Sequence, residues 1–158
     1  MAEPLADQVT RKIDQATELY HRLLMMVAPA GAGKTSALHD VHERTGAPLI
    51  NVNLEISRRM LDLTERQRAL QLPRLLSEIV NTYQGNVILL DNIEILFDIS
   101  LRQDPLRLLQ GLSRNKTVVA AWGGFIDKKH MVYATPDHPE YRRYPVRDFL
   151  VVSPEIMV

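Results

Sequence analysis

Leu23-Leu24-Met25-Met26-Val27-Ala28-Pro29-Ala30-Gly31-Ala32-Gly33-Lys34-Thr35-Ser36 is the stretch that decides the fold. An apolar run, Leu23 to Val27, predicts a buried strand. Ala28 to Thr35 matches the phosphate-loop pattern G-x-x-x-x-G-K-[S/T] with its first glycine replaced by Ala28. Ser36 to Thr45 then reads as an amphipathic helix, with Ala37, Leu38 and Val41 facing inward. Strand, glycine-rich loop and helix in that order form an anion cradle. Successive backbone N–H groups point into one concavity, and the helix N-terminus adds about half a positive charge. The nucleotide-binding set is Ala30, Gly31, Ala32, Gly33, Lys34, Thr35 and Ser36. Lys34 is expected to bridge the outer phosphates, and the Thr35 hydroxyl to ligate Mg²⁺. Should position 28 require a positive φ, alanine there costs roughly 1 kcal/mol.

Outward from this loop the chain alternates strands and helices. Leu5, Val9, Ile13, Ala16 and Tyr20 recur at helical spacing and predict an N-terminal helix within residues 1–21, packed on the core. His39 and His42 read as solvent-face residues of the loop-following helix, which Gly46 ends. Ile50, Val52 and Leu54 alternate with Asn51 and Asn53, as in a half-buried edge strand over 49–54. Thr64 and Gln67 are spaced as a capping box, Pro73 is expected to interrupt the helix that follows, and Gly85 to end it. Val87 to Leu90 is an unbroken apolar run, as in a parallel strand buried on both faces, and it ends at Asp91. Asp104-Pro105 reads as N-cap and first helical residue, and Thr117 to Trp122 as a buried strand. Residues 123–140 show few periodic apolar positions and are expected to be loop with a short helix. Tyr144 to Val152 supplies the last strand. The fold class is α/β: a three-layer sandwich around a five-stranded, mainly parallel sheet, in one domain over residues 1–158.

The 158 residues are 46% hydrophobic and 24% charged, ordinary for a globular protein. Nineteen basic residues balance nineteen acidic ones, so no global field advertises nucleic acid; Arg58-Arg59, Arg66/Arg68 and Lys128-Lys129-His130 are short local clusters that read as solvated faces. The absence of cysteine excludes disulfides and thiol chemistry. No signal peptide and no apolar run of membrane-spanning length is visible, so a cytoplasmic protein without a membrane partner is expected.

Val87-Ile88-Leu89-Leu90-Asp91 looks like a Walker B motif, in which Asp91 orders the Mg²⁺ that Thr35 also touches. A full strand–helix unit separates it from the phosphate loop. That order resembles the additional-strand class of P-loop ATPases, the AAA+ and RecA-like families. The resemblance implies the sheet order 5-1-4-3-2, ATP and Mg²⁺ as cofactors, and possible homo-oligomers. It also brings departures. The glutamate that usually follows the Walker B aspartate is Asn92, and an amide accepts no proton. Glu94, three residues past Asp91, reads either as a water-activating base or as a loop carboxylate. The polar sensor of strand four is replaced by Trp122-Gly123-Gly124, and a C-terminal helical lid is not expected. Arg142 and Arg143, before the last strand, stand where AAA+ proteins carry an arginine finger; Arg114 is a second candidate.

Leu89 to Phe97, Asp104 to Asn115, Thr117 to Trp122 and His138-Pro139-Glu140-Tyr141-Arg142-Arg143-Tyr144 resemble one family in particular. This is BrxF, the small P-loop proteins of type 3 bacteriophage-exclusion (BREX) clusters. The resemblance implies a role in phage restriction beside a methyltransferase, a large ATPase, a phosphatase-like protein and a helicase, with DNA met directly or through those partners. The function it implies is a weak or partner-activated ATPase, or a switch that binds ATP without hydrolysing it. A small-molecule phosphotransferase fits the length, but Asn51 and Asn53 stand where an acceptor-binding acid is needed.

Overall fold

The structure, a computed structural model, describes residues 3–154. Its centre is β1 (Leu23–Ala28), buried along its whole length. On one side β1 pairs in parallel with β4 (Thr117–Gly123), and on the other with β8 (Leu150–Val152). Beyond β4 lie β3 (Val87–Asp91) and then β2 (Leu49–Asn51), giving the order β2-β3-β4-β1-β8 with every pairing parallel.

The pleat sorts the apolar runs into two cores. Leu23, Met25 and Val27 of β1, Ile88 and Leu90 of β3, and Val118, Ala120 and Trp122 of β4 face one side. Leu24 and Met26, Leu89, and Val119 and Ala121 face the other. This is why those strands read as unbroken apolar runs: side chains of both parities are buried, each Leu, Ile, Val or Met contributing about 1.5–3 kcal/mol over exposure. The second face is covered by α1 (Leu5–Ala16) and α2 (Lys34–Thr45), through Val9, Ile13, Leu38 and Val41. The first is covered by α3 (Val52–Arg59), α4 (Glu65–Thr82) and α5 (Pro105–Leu112), through Ile56, Leu76, Ile79 and Leu109. Tyr20 does not join the α1 stripe; it is 70% exposed, with the Arg114 guanidinium 5.2 Å from its ring centre. His42 is half-buried, its ring nitrogen 2.6 Å from the Ala47 carbonyl, and His39 is exposed.

Three other expectations are corrected. The second strand stops at Asn51 rather than Leu54, because the Asn51 side chain accepts the Leu54 N–H at 3.0 Å and caps α3. That local bond wins the backbone for a helix, which buries Val52 and Ile56 one turn apart and leaves Leu54 50% exposed. Pro73 does not interrupt α4, which runs unbroken from its Thr64–Gln67 capping box to Thr82. A proline at 73 leaves the Ala69 carbonyl without its helical donor; the Gln103 side-chain amide replaces it at 2.8 Å.

The third correction concerns residues 123–145. No helix forms there. β5 (Phe125–Asp127), β6 (His130–Tyr133) and β7 (Arg142–Pro145) make a separate antiparallel sheet in the order β5-β6-β7. The expected strand over 144–152 is accordingly divided between β7 and β8. Gly124 makes this excursion possible. Its N–H donates to the Ala28 carbonyl at 3.1 Å, and a Cβ at this position would run into the Val132 carbonyl oxygen. Trp122 fixes the same corner by donating its indole N–H to that oxygen at 3.1 Å.

Among the described residues no helix is long and apolar enough to cross a membrane.

Candidate functional site

The phosphate-loop segment leaves the carboxyl end of β1 as an exposed turn, Pro29–Gly33, and enters α2 at Lys34. Gly31 and Gly33 take φ values of 81° and 89°. A Cβ at either would meet nothing within 4 Å, so glycine is needed for backbone conformation and not for space. Ala28 belongs to β1 and pairs with Gly123. It is not one of the positive-φ residues, so the missing first glycine carries no strain.

Lys34 Nζ donates to the Ala28 and Pro29 carbonyls at 2.9 and 3.0 Å. Burial pushes its pKa below the ordinary lysine range, and the charges of Glu94 and Asp91 pull it back up. The Thr35 hydroxyl donates to Asp91 Oδ2 at 2.8 Å. Asp91 is only 6% exposed, and its other oxygen accepts the Asn92 N–H at 2.9 Å. The first turn of α2 and the end of β3 therefore meet as one hydroxyl–carboxylate pair at the mouth of the loop. Among the described residues there is no group of three or more His, Cys, Asp or Glu that could hold a metal alone. One carboxylate and one hydroxyl beside a phosphate cradle is, however, the donor set that suits Mg²⁺, which keeps waters and shares substrate phosphates. The residues present fit a Mg²⁺–nucleotide.

Asn92 adopts φ 55°, ψ 52°. Asparagine tolerates this left-handed conformation better than a longer side chain does. The chain then enters a 3₁₀ helix, Ile93–Phe97, which buries Ile93, Leu96 and Phe97 and leaves Glu94 exposed. A Cβ at Gly123 would lie 3.7 Å from Glu94 Oε1 and 4.0 Å from Lys34 Nζ, so these two side chains converge over the end of β4. They share a cavity of about 320 Å³ with Tyr133, His138 and Glu140 from β6 and the loop after it. A larger cavity of about 780 Å³, with Arg66, Leu70 and Arg102 in its wall, lies apart from this chemistry.

The two arginines before the last strand lie on β7 and do not line the Lys34 cavity. Arg143 pairs with Asp127 at 2.9 Å. Arg142 donates to the Tyr141 carbonyl at 3.1 Å and to the Gln103 carbonyl at 3.4 Å. Of the other basic clusters, Arg68 holds the α3–α4 turn through the Met60 and Leu63 carbonyls.

Tyr133 escapes a reading of the sequence, and His138 and Glu140 enter it only within the His138–Tyr144 stretch, with no place in the site. The turn joining β5 to β6 is Lys128-Lys129, with Lys128 at φ 57°, where glycine or asparagine would have signalled a hairpin. The available signal was weaker: Met131-Val132-Tyr133 and Arg142-Arg143-Tyr144 are β-prone runs separated by Thr135-Pro136-Asp137-His138-Pro139 punctuation.

No protein-family model and no curated protein matches the chain. Several solved structures are similar to it in part, two of them as follows. Katanin, in a structure concerned with its self-assembly, is 20% identical over 77% of this chain and 40% of its own, with a TM-score of 0.40. PCH-2 of C. elegans is 15% identical over 78% of this chain and 36% of its own, also with a TM-score of 0.40. The chain spans less than half the length of either. The loop, its two left-handed glycines and the Thr35–Asp91 pair define a P-loop α/β domain on their own geometry.

Proposed function

We propose that this chain binds Mg²⁺–ATP on Ala30–Ser36 and acts as a weak or partner-activated ATPase, a nucleotide-gated subunit of a bacterial BREX anti-phage system in the cytoplasm. The observation that carries the nucleotide reading is the Thr35–Asp91 bond of 2.8 Å beside the exposed Gly31–Gly33 turn. The N–H groups of the loop and of the first turn of α2 receive the phosphates, and Lys34 exchanges its two carbonyl partners for outer phosphate oxygens. Thr35 and Asp91 hold the metal, which when bound neutralises phosphate charge. Glu94, beside Lys34, takes the proton of the attacking water as that oxygen bonds to the γ-phosphorus and the bond to ADP breaks. The strand order, with β2 at the edge and β4 between β1 and β3, supports the additional-strand reading. The likeness of Leu89–Phe97 and His138–Tyr144 to BrxF supports the BREX assignment, in which a methyltransferase, a large ATPase and a phosphatase-like protein are the partners. Arg142 and Arg143 stay candidates for a finger offered to a second copy once their present partners release them.

One observation favours a second reading, an ATP-dependent binding switch without hydrolysis: the position after Asp91 is an amide in a left-handed turn, Asn92. Phosphate release from Mg²⁺–ATP over a range of protein concentrations separates the two. The expected result is turnover that rises per subunit with concentration and vanishes in Lys34→Ala. ATP binding without turnover at any concentration would replace the ATPase with the switch. ATP affinity unchanged in Lys34→Ala would overturn both.

A further inference from the structure

We propose that Tyr133 is a further residue of the nucleotide site, whose hydroxyl donates to the terminal phosphate and so separates ATP from ADP; this rests on the ATP-binding reading above. The strand that ends beside β1 offers no polar side chain there. Gly123 occupies the position, and a Cβ on it would already touch Glu94 at 3.7 Å and Lys34 at 4.0 Å. The opposite wall of the same cavity comes from β6 and the loop after it, where Tyr133 is half-buried and lies with Glu140.

Tyr133 is held as a fixed donor must be. Its ring stacks on Phe97 at 3.7 Å between centres and 16° between planes, and presents an edge to Trp122 at 6.1 Å. Trp122 is fully buried and bonds the carbonyl of Val132, the residue before Tyr133. β6 is paired on both sides, with Val132 opposite Phe125 and Tyr133 opposite Arg142. The loop that follows is fixed too: His138 Nδ1 accepts the Glu140 N–H at 3.0 Å, and the Tyr141 N–H reaches the His138 carbonyl at 3.0 Å. Phe97 belongs to the 3₁₀ helix that carries Glu94, so Tyr133 and Glu94 are positioned by one aromatic contact.

The hydroxyl also keeps its proton. Burial first, then the charges of Glu140 and Glu94 and a hydrogen bond to the Glu140 carboxylate, push its pKa up to about 12, and a terminal phosphate would take the place of Glu140 as acceptor. At neutral pH it is a neutral donor on a wall whose carboxylates repel phosphate. Lys34 and Tyr133 line one cavity, so the phosphate that ATP has and ADP lacks would be the one to meet this wall.

The test is a titration of Mg²⁺–ATP and Mg²⁺–ADP into the wild type, Tyr133→Phe and Lys34→Ala. Phenylalanine keeps the ring and its stacking and removes only the hydroxyl. ATP affinity is expected to fall about 10- to 100-fold in Tyr133→Phe, the range of one hydrogen bond to a charged group, with ADP affinity unchanged. ADP binding doubles as the proof that the variant is folded. An unchanged ATP affinity, or equal losses for both nucleotides, overturns the role of Tyr133 while leaving the ATP-binding reading intact. A wild type that binds neither nucleotide, or a Lys34→Ala that binds ATP as well as the wild type, overturns the underlying reading and this inference with it.

Discussion

Asn92 sits at φ 55° immediately after the buried Asp91, its N–H on one carboxylate oxygen and its carbonyl accepting the Asn53 N–H at 3.1 Å. This backbone conformation suits an asparagine, and the next acid along the chain, Glu94, stands two positions later. The left-handed step re-aims the chain so that Glu94 returns over Gly123 beside Lys34. Glu94→Gln is therefore expected to lower phosphate release about 10²- to 10⁴-fold, the usual contribution of a general base, with Mg²⁺–ADP binding unchanged. Turnover equal to wild type would make Glu94 a bystander. Residues at this scale were legible where one motif encodes geometry. That Lys34, Thr35 and Asp91 meet at one sheet edge follows from spacing alone, because a strand, a tight turn and a helix leave these side chains few places to go. The place of Glu94 over Gly123 was not legible, since nothing local reveals a left-handed step at Asn92. Tyr133 was not legible, because its place depends on pairing with β7.

At the scale of elements, local hydrogen bonds decided where patterns misled. The alternation of 49–54 fits a strand, yet Asn51 caps a helix and ends it. Pro73 reads as a break, yet α4 continues because Gln103 Nε2 supplies the donor that proline lacks. No pattern within α4 could show that, as the donor comes from a residue thirty-four positions away. Gln103→Leu is expected to lower stability by about 1–3 kcal/mol in urea unfolding, the cost of a carbonyl left without its partner. The loss should shrink in a Pro73→Ala background, where the restored N–H satisfies Ala69 within the helix. Equal losses in both backgrounds would mean that Gln103 acts elsewhere, for instance through its bond to the Leu101 carbonyl at 3.0 Å. The missed β5–β7 sheet has the same kind of cause. Its Lys128-Lys129 turn carries none of the usual turn residues, and Gly124, which lets the chain cross the Val132 carbonyl, reads in sequence only as part of a glycine pair.

For the molecule as a whole, the apolar runs of β1, β3 and β4 made the parallel sheet readable, because only strands covered on both faces bury both side-chain parities. The sheet then gathers at the carboxyl ends of its strands the Lys34 loop, Asp91 and Gly123, and the second sheet adds its wall to that edge. Function at this scale reduces to whether Mg²⁺–ATP engages the native state. A ligand that binds only the folded chain at 100 times its Kd stabilises it by about 2.7 kcal/mol. In a domain of this size that raises Tm by about 5–10 °C. The most direct measurement is thermal unfolding of the wild type and Lys34→Ala with and without saturating Mg²⁺–ATP. A shift of that size in the wild type, absent from Lys34→Ala, is the expected result. No shift in the wild type, or the same shift in both proteins, would contradict nucleotide binding at the Ala30–Ser36 loop.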